Sequence, residues 1–283
     1  MPNPNSRPSP PQQAVIDRFV AACQGDARVV AAFLGGSLAR GTADAYSDLD
    51  LYLITTDTGY DSFFAARTAF FRHLGDPLML EDWVIGGFAF LNFILADGTD
   101  GELGLGRAGD FAGLHVGPHQ VLLDKAGILA GAGFLSRPAD PDAQREILRG
   151  LIHWFWHDLA HFTTALGRGQ VWAASGALED LRRTCVNLAR LDRDFAAPAA
   201  GYEKLERALP VEQLAPLRAT FGALEPAALL AAGQHVFAFY QALAPRLAAA
   251  YGLSYPAGLA PIFQARLAAL DRGNREPGTG NRE

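Results

Sequence analysis

The sequence predicts an α+β organisation: a mixed sheet with flanking helices in the N-terminal half, then an all-α helical bundle. Three observations carry this. Short strand-like apolar stretches recur through the first half. A Pro/Asp-rich segment, Pro138 to Asp142, follows them. From Ala143 onward the chain is Ala/Leu-rich, with long helix-like stretches broken by brief Gly and Pro punctuation. The 283 residues have room for one large or two medium domains, and a hydrophobic share of 49% is enough for real cores.

The lead-in Met1 to Pro11 has no apolar h-region and reads as disordered rather than as a secretory signal. Gln12 to Gln24 carries Val15, Ile16, Phe19, Val20 and Ala22 at helical spacing. Val29 to Leu34 is a continuous apolar run of strand length, and Asp48 to Thr55 is the next strand after the excursion from Gly35 to Tyr46. Asp61 and Gly75 bound a helix as N-cap and stop. Leu78–Ile85, Phe88–Ala96, Gly101–Gly106 and Gln120–Gly127 read as further strands, punctuated by Gly86-Gly87 and by Asp97-Gly98-Thr99-Asp100. Five helices then follow, over Ala143–Leu166, Val171–Leu191, Val211–Phe221, Pro226–Tyr251 and Gly258–Leu270. The domains are accordingly a lead-in over 1–11, a sheet domain over 12–139, a helical bundle over 140–271 and a disordered tail over 272–283.

Composition excludes several classes. Cys23 and Cys185 lie far apart within apolar helical patterns and read as small core residues, which places the chain in the cytoplasm. No uninterrupted apolar run approaches the roughly 18 residues of a bilayer span, so no membrane partner is expected. A net charge of −6 argues against a nucleic-acid partner, which a basic footprint would signal. Cys-x-x-Cys, Walker-type lysine and Gly-x-Ser-x-Gly motifs are absent from the sequence.

The chemistry concentrates in Gly35-Gly36-Ser37-Leu38-Ala39-Arg40-Gly41 and Ser47-Asp48-Leu49-Asp50-Leu51. Residues two apart share a face of a strand, so Leu49, Leu51 and Leu53 enter a core while Asp48, Asp50 and Tyr52 face the other way. Two carboxylates side by side repel, and a hard divalent cation such as Mg²⁺ stabilises such a pair, usually shared with substrate phosphates. The glycine turn lets a phosphate approach the backbone. Arg40 reads equally as a phosphate contact or as a brace for Asp44 or Asp48, and Ser47 equally as a local cap or as a ligand.

This arrangement resembles the signature of the nucleotidyltransferase superfamily that includes DNA polymerase beta, closely over Val29 to Thr55 and loosely over the rest of the N-terminal half. The domain order is similar to that of the aminoglycoside and lincosamide nucleotidyltransferases, as are the short patterns Leu122-Leu-Asp-Lys125, Leu166-Gly-Arg168-Gly169 and Gly201-Tyr-Glu-Lys204. The resemblance implies a third acid on a strand beside the Asp-x-Asp strand. Glu102, which shares its face with Gly104 and Gly106, takes that assignment, with Glu81 as competitor. The implied site has Asp48, Asp50 and Glu102 as catalytic residues and as ligands of two Mg²⁺ ions. Gly36, Ser37, Arg40, Ser47 and Lys204 bind a nucleoside triphosphate, which is the co-substrate. Arg168, Arg182 and Arg183 are further candidates to reach the phosphates, and Asp158, Glu179 and Asp180 are alternative bases. His153, His157 and His161 recur every four residues on one helix, as a row lining a cleft or seam or as metal-binding neighbours.

The expected activity is transfer of a nucleoside monophosphate, AMP foremost, to a hydroxyl of a small molecule of aminoglycoside or lincosamide type, with release of pyrophosphate. Alternatives are a protein-modifying, antitoxin-like transferase and a non-catalytic nucleotide-binding relative. Monomer and homodimer are both left open.

Overall fold

The computed structural model describes residues 8–134, 140–196 and 200–275. The chain divides into two compact units, Met1–Arg137 and Pro138–Glu283.

The first unit opens with α1 (Pro10–Gly25). Prolines at the first helical positions need no amide partner there, and the Ser9 amide donates to Gln12 Oε1 at 2.6 Å. Pro10 and Pro11 are therefore helical, against the expectation of a disordered lead-in through residue 11, whose first seven residues lie outside the described ones. Next come β1 (Val29–Leu34), the short α2 (Gly36–Ala39), β2 (Leu49–Thr55) and α3 (Tyr60–Phe71). The strands β3 (Pro77–Ile85), β4 (Phe88–Leu95), β5 (Asp100–Arg107) and β6 (Gln120–Asp124) complete the unit. The sheet order is β3-β4-β5-β2-β1-β6. Every pairing is antiparallel except β2 with β5, which is parallel.

The alternation of β2 sorts its side chains onto two cores. Leu49, Leu51 and Leu53 pack with Phe19 of α1 and with Phe63 and Phe71 of α3. Tyr52 and Ile54 do not face solvent; they join Phe33, Phe90, Leu114, Leu129 and Phe134 in a second core on the opposite face. Asp50 thus sits at the end of a strand buried on both sides.

Two residues of the Leu122-Leu-Asp-Lys125 pattern hold this frame together. Lys125 Nζ donates to the carbonyls of Cys23, Gln24 and Asp26 at 2.7, 3.2 and 2.9 Å, placing a cation on the end of α1. Asp124 accepts from the amides of Ile128 and Leu129 at 3.0 and 2.9 Å.

The second unit is helical: α4 (Pro141–Gly167), α5 (Val171–Arg193), α6 (Leu205–Ala208), α7 (Val211–Arg218), α8 (Pro226–Ala250) and α9 (Leu259–Arg275). Asp140 caps α4 through the Asp142 amide at 3.0 Å. Its core gathers Phe155, Trp156 and Phe162 of α4, Leu181 of α5, Tyr240 of α8 and Phe263 of α9. Phe155 and Tyr240 stack at 3.6 Å, and the Tyr240 hydroxyl donates to the Ile152 carbonyl at 2.7 Å. The helix α8 is long and apolar enough to cross a membrane by length and composition, with mean hydropathy 1.2. In the fold it buries Leu229, Leu230, Val236, Tyr240 and Leu247 inside the bundle. The helix α9 continues to Arg275, so the tail expected from residue 272 begins as helix.

Candidate active site

The site grows from the turn after β1. The Gly35 amide donates to the Asp50 carbonyl at 2.9 Å, which fixes the turn against the start of β2. Gly36 has φ +56, and a Cβ there would stand 1.5 Å from Asp50 Oδ2. Only glycine leaves room for that carboxylate. Beside it, Ser37 Oγ is buried without a hydrogen-bond partner among the described residues. A buried hydroxyl left unsatisfied costs about 1–3 kcal/mol, which a hydrogen-bonding ligand at this position would recover.

The strand pairing brings the acids together. Asp50 stands opposite Glu102 in the parallel β2–β5 register, one strand spacing of about 4.8 Å away. Asn92 of β4 stands opposite Glu102, and Glu81 of β3 opposite Asn92. Both candidates for the third acid therefore lie in one polar row. Glu81 is three strand spacings, about 14 Å, from Asp50. Asp48 is exposed, just ahead of β2. The Glu102 carboxyl is raised above the usual carboxylate range, first by burial, then by the charges of Asp50 and Asp48. Burial raises the Tyr52 hydroxyl too, with Asp50, Glu102 and Asp48 adding to the effect in that order. All three acids thus act on one neighbourhood.

The face that Glu102 shares with Gly104 and Gly106 is filled. A Cβ at Gly104 would lie 2.7 Å from Tyr52 Cδ1, and one at Gly106 would lie 2.9 Å from Leu114 Cδ2. The glycines of β5 admit these side chains instead of exposing a groove.

The donor chemistry of this corner fits a hard divalent cation: two carboxylates in register, a third at the strand entrance, and a glycine that clears the space beside Asp50. The three do not form a closed triad, however. Among the described residues no group of three or more His, Cys, Asp or Glu side chains converges on one metal position.

Other candidates are placed differently. Ser47 Oγ accepts from the Asp44 amide at 2.9 Å and donates to Asp44 Oδ1 at 3.2 Å, and Gln12 Nε2 donates to the Ser47 carbonyl. Its hydroxyl is a local cap on Asp44, and its carbonyl ties the approach to Asp48 onto α1. Arg40 is exposed and makes no ion pair among the described residues; Asp44 is braced by Ser47 and the Tyr46 amide instead. Arg182 is buried, paired with Glu179, donates to Thr220 Oγ1 and the Thr220 carbonyl at 3.0 and 2.8 Å, and lies over the Phe221 ring. It is committed to the helical core and has no reach left for a phosphate, and Glu179 is engaged with it. Lys204 sits in a left-handed turn at φ 49 and pairs with Glu203 at 2.8 Å. That turn is held from α5, where Arg190 donates to the carbonyls of Gly201 and Glu203 and Asn187 Oδ1 accepts from the Gly201 amide.

One neighbour of the site has no signal in the sequence. His115 is buried, its Nε2 lies 3.0 Å from the Pro118 carbonyl, and its ring tilts against Tyr52 at 4.9 Å. A Cβ at Gly35 would meet His115 Cε1 at 2.7 Å. Burial pushes the imidazole below its usual range, which favours the neutral ring. Only the fold, which carries the segment between β5 and β6 across this face, places it beside the turn.

Residues 16–76 match the family model of the nucleotidyltransferase domain. No curated protein matches the chain. Among solved structures, an aminoglycoside 6-adenyltransferase from Bacillus subtilis is similar at 15% identity and TM-score 0.44, over 93% of this chain and 98% of that one. A nucleotidyltransferase-like protein from Exiguobacterium sibiricum is similar at 9% identity and TM-score 0.38, over 81% of this chain and 74% of that one.

Proposed function

We propose that the chain transfers a nucleoside monophosphate, AMP foremost, from a nucleoside triphosphate to a hydroxyl of a small molecule, with pyrophosphate leaving. The observation that carries this reading is the register of Asp50 against Glu102 beside the orphaned Ser37 hydroxyl and the cleared Gly36. The Ser37 hydroxyl and the first amides of α2, which have no intrahelical acceptor, would hold the outer phosphates. Asp50 and Glu102, opposite each other in register, would hold Mg²⁺, with Asp48 adding negative charge at the strand entrance; when bound, Mg²⁺ neutralises phosphate charge and polarises the attacking hydroxyl. Glu102, with its raised carboxyl, is the residue suited to take the proton of that hydroxyl. Arg40, exposed and without an ion pair among the described residues, is available to the triphosphate. The acceptor class rests on the resemblance in domain order alone: an aminoglycoside- or lincosamide-type antibiotic, modified in the cytoplasm.

The test is pyrophosphate release by purified protein with each of ATP, GTP, CTP and UTP, Mg²⁺ and a panel of hydroxylated antibiotics. Release that depends on one acceptor and disappears in Asp50→Asn supports the reading. Absence of release with every acceptor, from folded protein, would overturn it. Labelling of a co-purified protein by radiolabelled ATP would favour the protein-modifying alternative.

A further inference from the structure

The histidine row of α4 does not act as one row. His153 Nε2 lies 3.5 Å from Ser254 Oγ. His157 and His161 turn to each other instead, with Nε2 to Nε2 at 3.3 Å. Both are exposed and line a cavity of about 550 Å³ within the helical unit, with Asp158, Thr164 and Arg168 of the α4 end and Asp180 of α5. His157 Nδ1 lies 3.6 Å from Asp158 Oδ1.

We propose that His157 and His161 form a two-nitrogen clamp for a divalent transition-metal ion of the zinc class. The spacing is the first reason. Two imidazole nitrogens each about 2.05 Å from a tetrahedral zinc stand about 3.3 Å apart. The second reason is orientation. The Asp158 carboxylate, near Nδ1 but beyond a direct hydrogen bond, favours by its charge the tautomer that carries the proton there, which leaves the Nε2 lone pair of His157 for the ion. The third is chemistry: imidazole takes zinc-class ions and not Mg²⁺, so excess Mg²⁺ can occupy the carboxylate corner of the first unit without filling this clamp. The Asp158 and Asp180 carboxylates add negative potential to the same cavity. They are not counted as ligands, because among the described residues no group of three or more converges. Water completes the coordination, and the open positions face the cavity.

The experiment is calorimetric titration of tag-free, chelator-stripped full-length protein with Zn²⁺ in excess Mg²⁺. The expected result is one saturable equivalent. His157→Ala and His161→Ala should each weaken it by about 10-fold or more, Asp158→Asn by a smaller factor, and His153→Ala not at all. Circular dichroism of each variant checks that the exposed substitutions leave the helices intact. No saturable binding, or the same affinity in the His157→Ala/His161→Ala double variant, would overturn the proposal.

Discussion

Two residues decide the geometry of the acidic corner. Gly36→Ala places a Cβ against the Asp50 carboxylate and forces a side chain into positive φ. The backbone strain alone costs about 1–3 kcal/mol. Gly117→Ala is the control, since φ is +100 there and no atom lies within 4 Å of the added Cβ. Both variants should melt earlier, but only Gly36→Ala should also lose transfer activity by more than about 10-fold, because only it displaces a carboxylate. Equal activity in the two would show that the Asp50 position is unimportant. Glu102→Gln should behave oppositely on stability. Its carboxyl is raised, so ionising it costs stability as pH rises through the folded-state value, and that cost is absent in acid below the unfolded one. In chelator, the Gln variant should therefore melt higher than the parent at neutral pH, with the gap closing as pH falls. Its transfer rate should drop by about 100-fold or more, as read in the pyrophosphate assay.

The helices of the second unit show where packing overrules propensity. Gly233 lies in the middle of α8, where alanine would add about 1 kcal/mol of helix propensity. A Cβ there would stand 2.4 Å from Phe162 Cε1, and Phe162 is fully buried. Overpacking a closed core costs about 1–3 kcal/mol, so Gly233→Ala should destabilise on balance, seen as a lower urea midpoint with unchanged slope. Element positions were largely legible in the sequence, because alternation in Leu49–Leu53 and helical spacing in Val15–Val20 record burial directly. Pairing was not. Nothing local in the stretch Gly101–Gly106 states that Glu102 faces Asp50 while Glu81 lies three strands off; that needs the sheet order. Nor could the sequence tell that Arg182 is spent on Thr220, that Ser47 serves Asp44, or that Asp124 and Lys125 are struts rather than chemistry. Each of those roles depends on a partner from another element or on a turn geometry that residue type does not encode.

At the scale of the whole molecule, a net charge of −6 makes its response to acid a matter of which carboxylates the fold holds ionised. Asp26 ties several elements together. It receives Arg28 Nε and the Arg28 amide, each at 2.9 Å, while Arg28 lies over Phe63 of α3 and the Asp26 carbonyl accepts from Lys125 after β6. The Arg28 side-chain hydrogen bond is the chief reason its carboxyl is held below the usual range. A depressed carboxyl gives stability that is present above the unfolded value and lost as pH falls through the folded one. Asp26→Asn should cost about 1–2 kcal/mol at neutral pH and flatten the loss of stability below about pH 4, measured by denaturant midpoints across that range. A parallel shift at all pH values would assign the loss to shape rather than charge.

The ring of Tyr52 occupies the volume that a Cβ at position 104 would need, so it can seat over β5 only at a glycine. Tyr52 stands two residues beyond Asp50, and Gly104 two beyond Glu102, in the same register. Seating the ring and aligning the acids therefore depend on the same register. A side chain added at Gly104 would meet the Tyr52 ring and shift that register, misaligning Asp50 and Glu102 while leaving both acids in the chain.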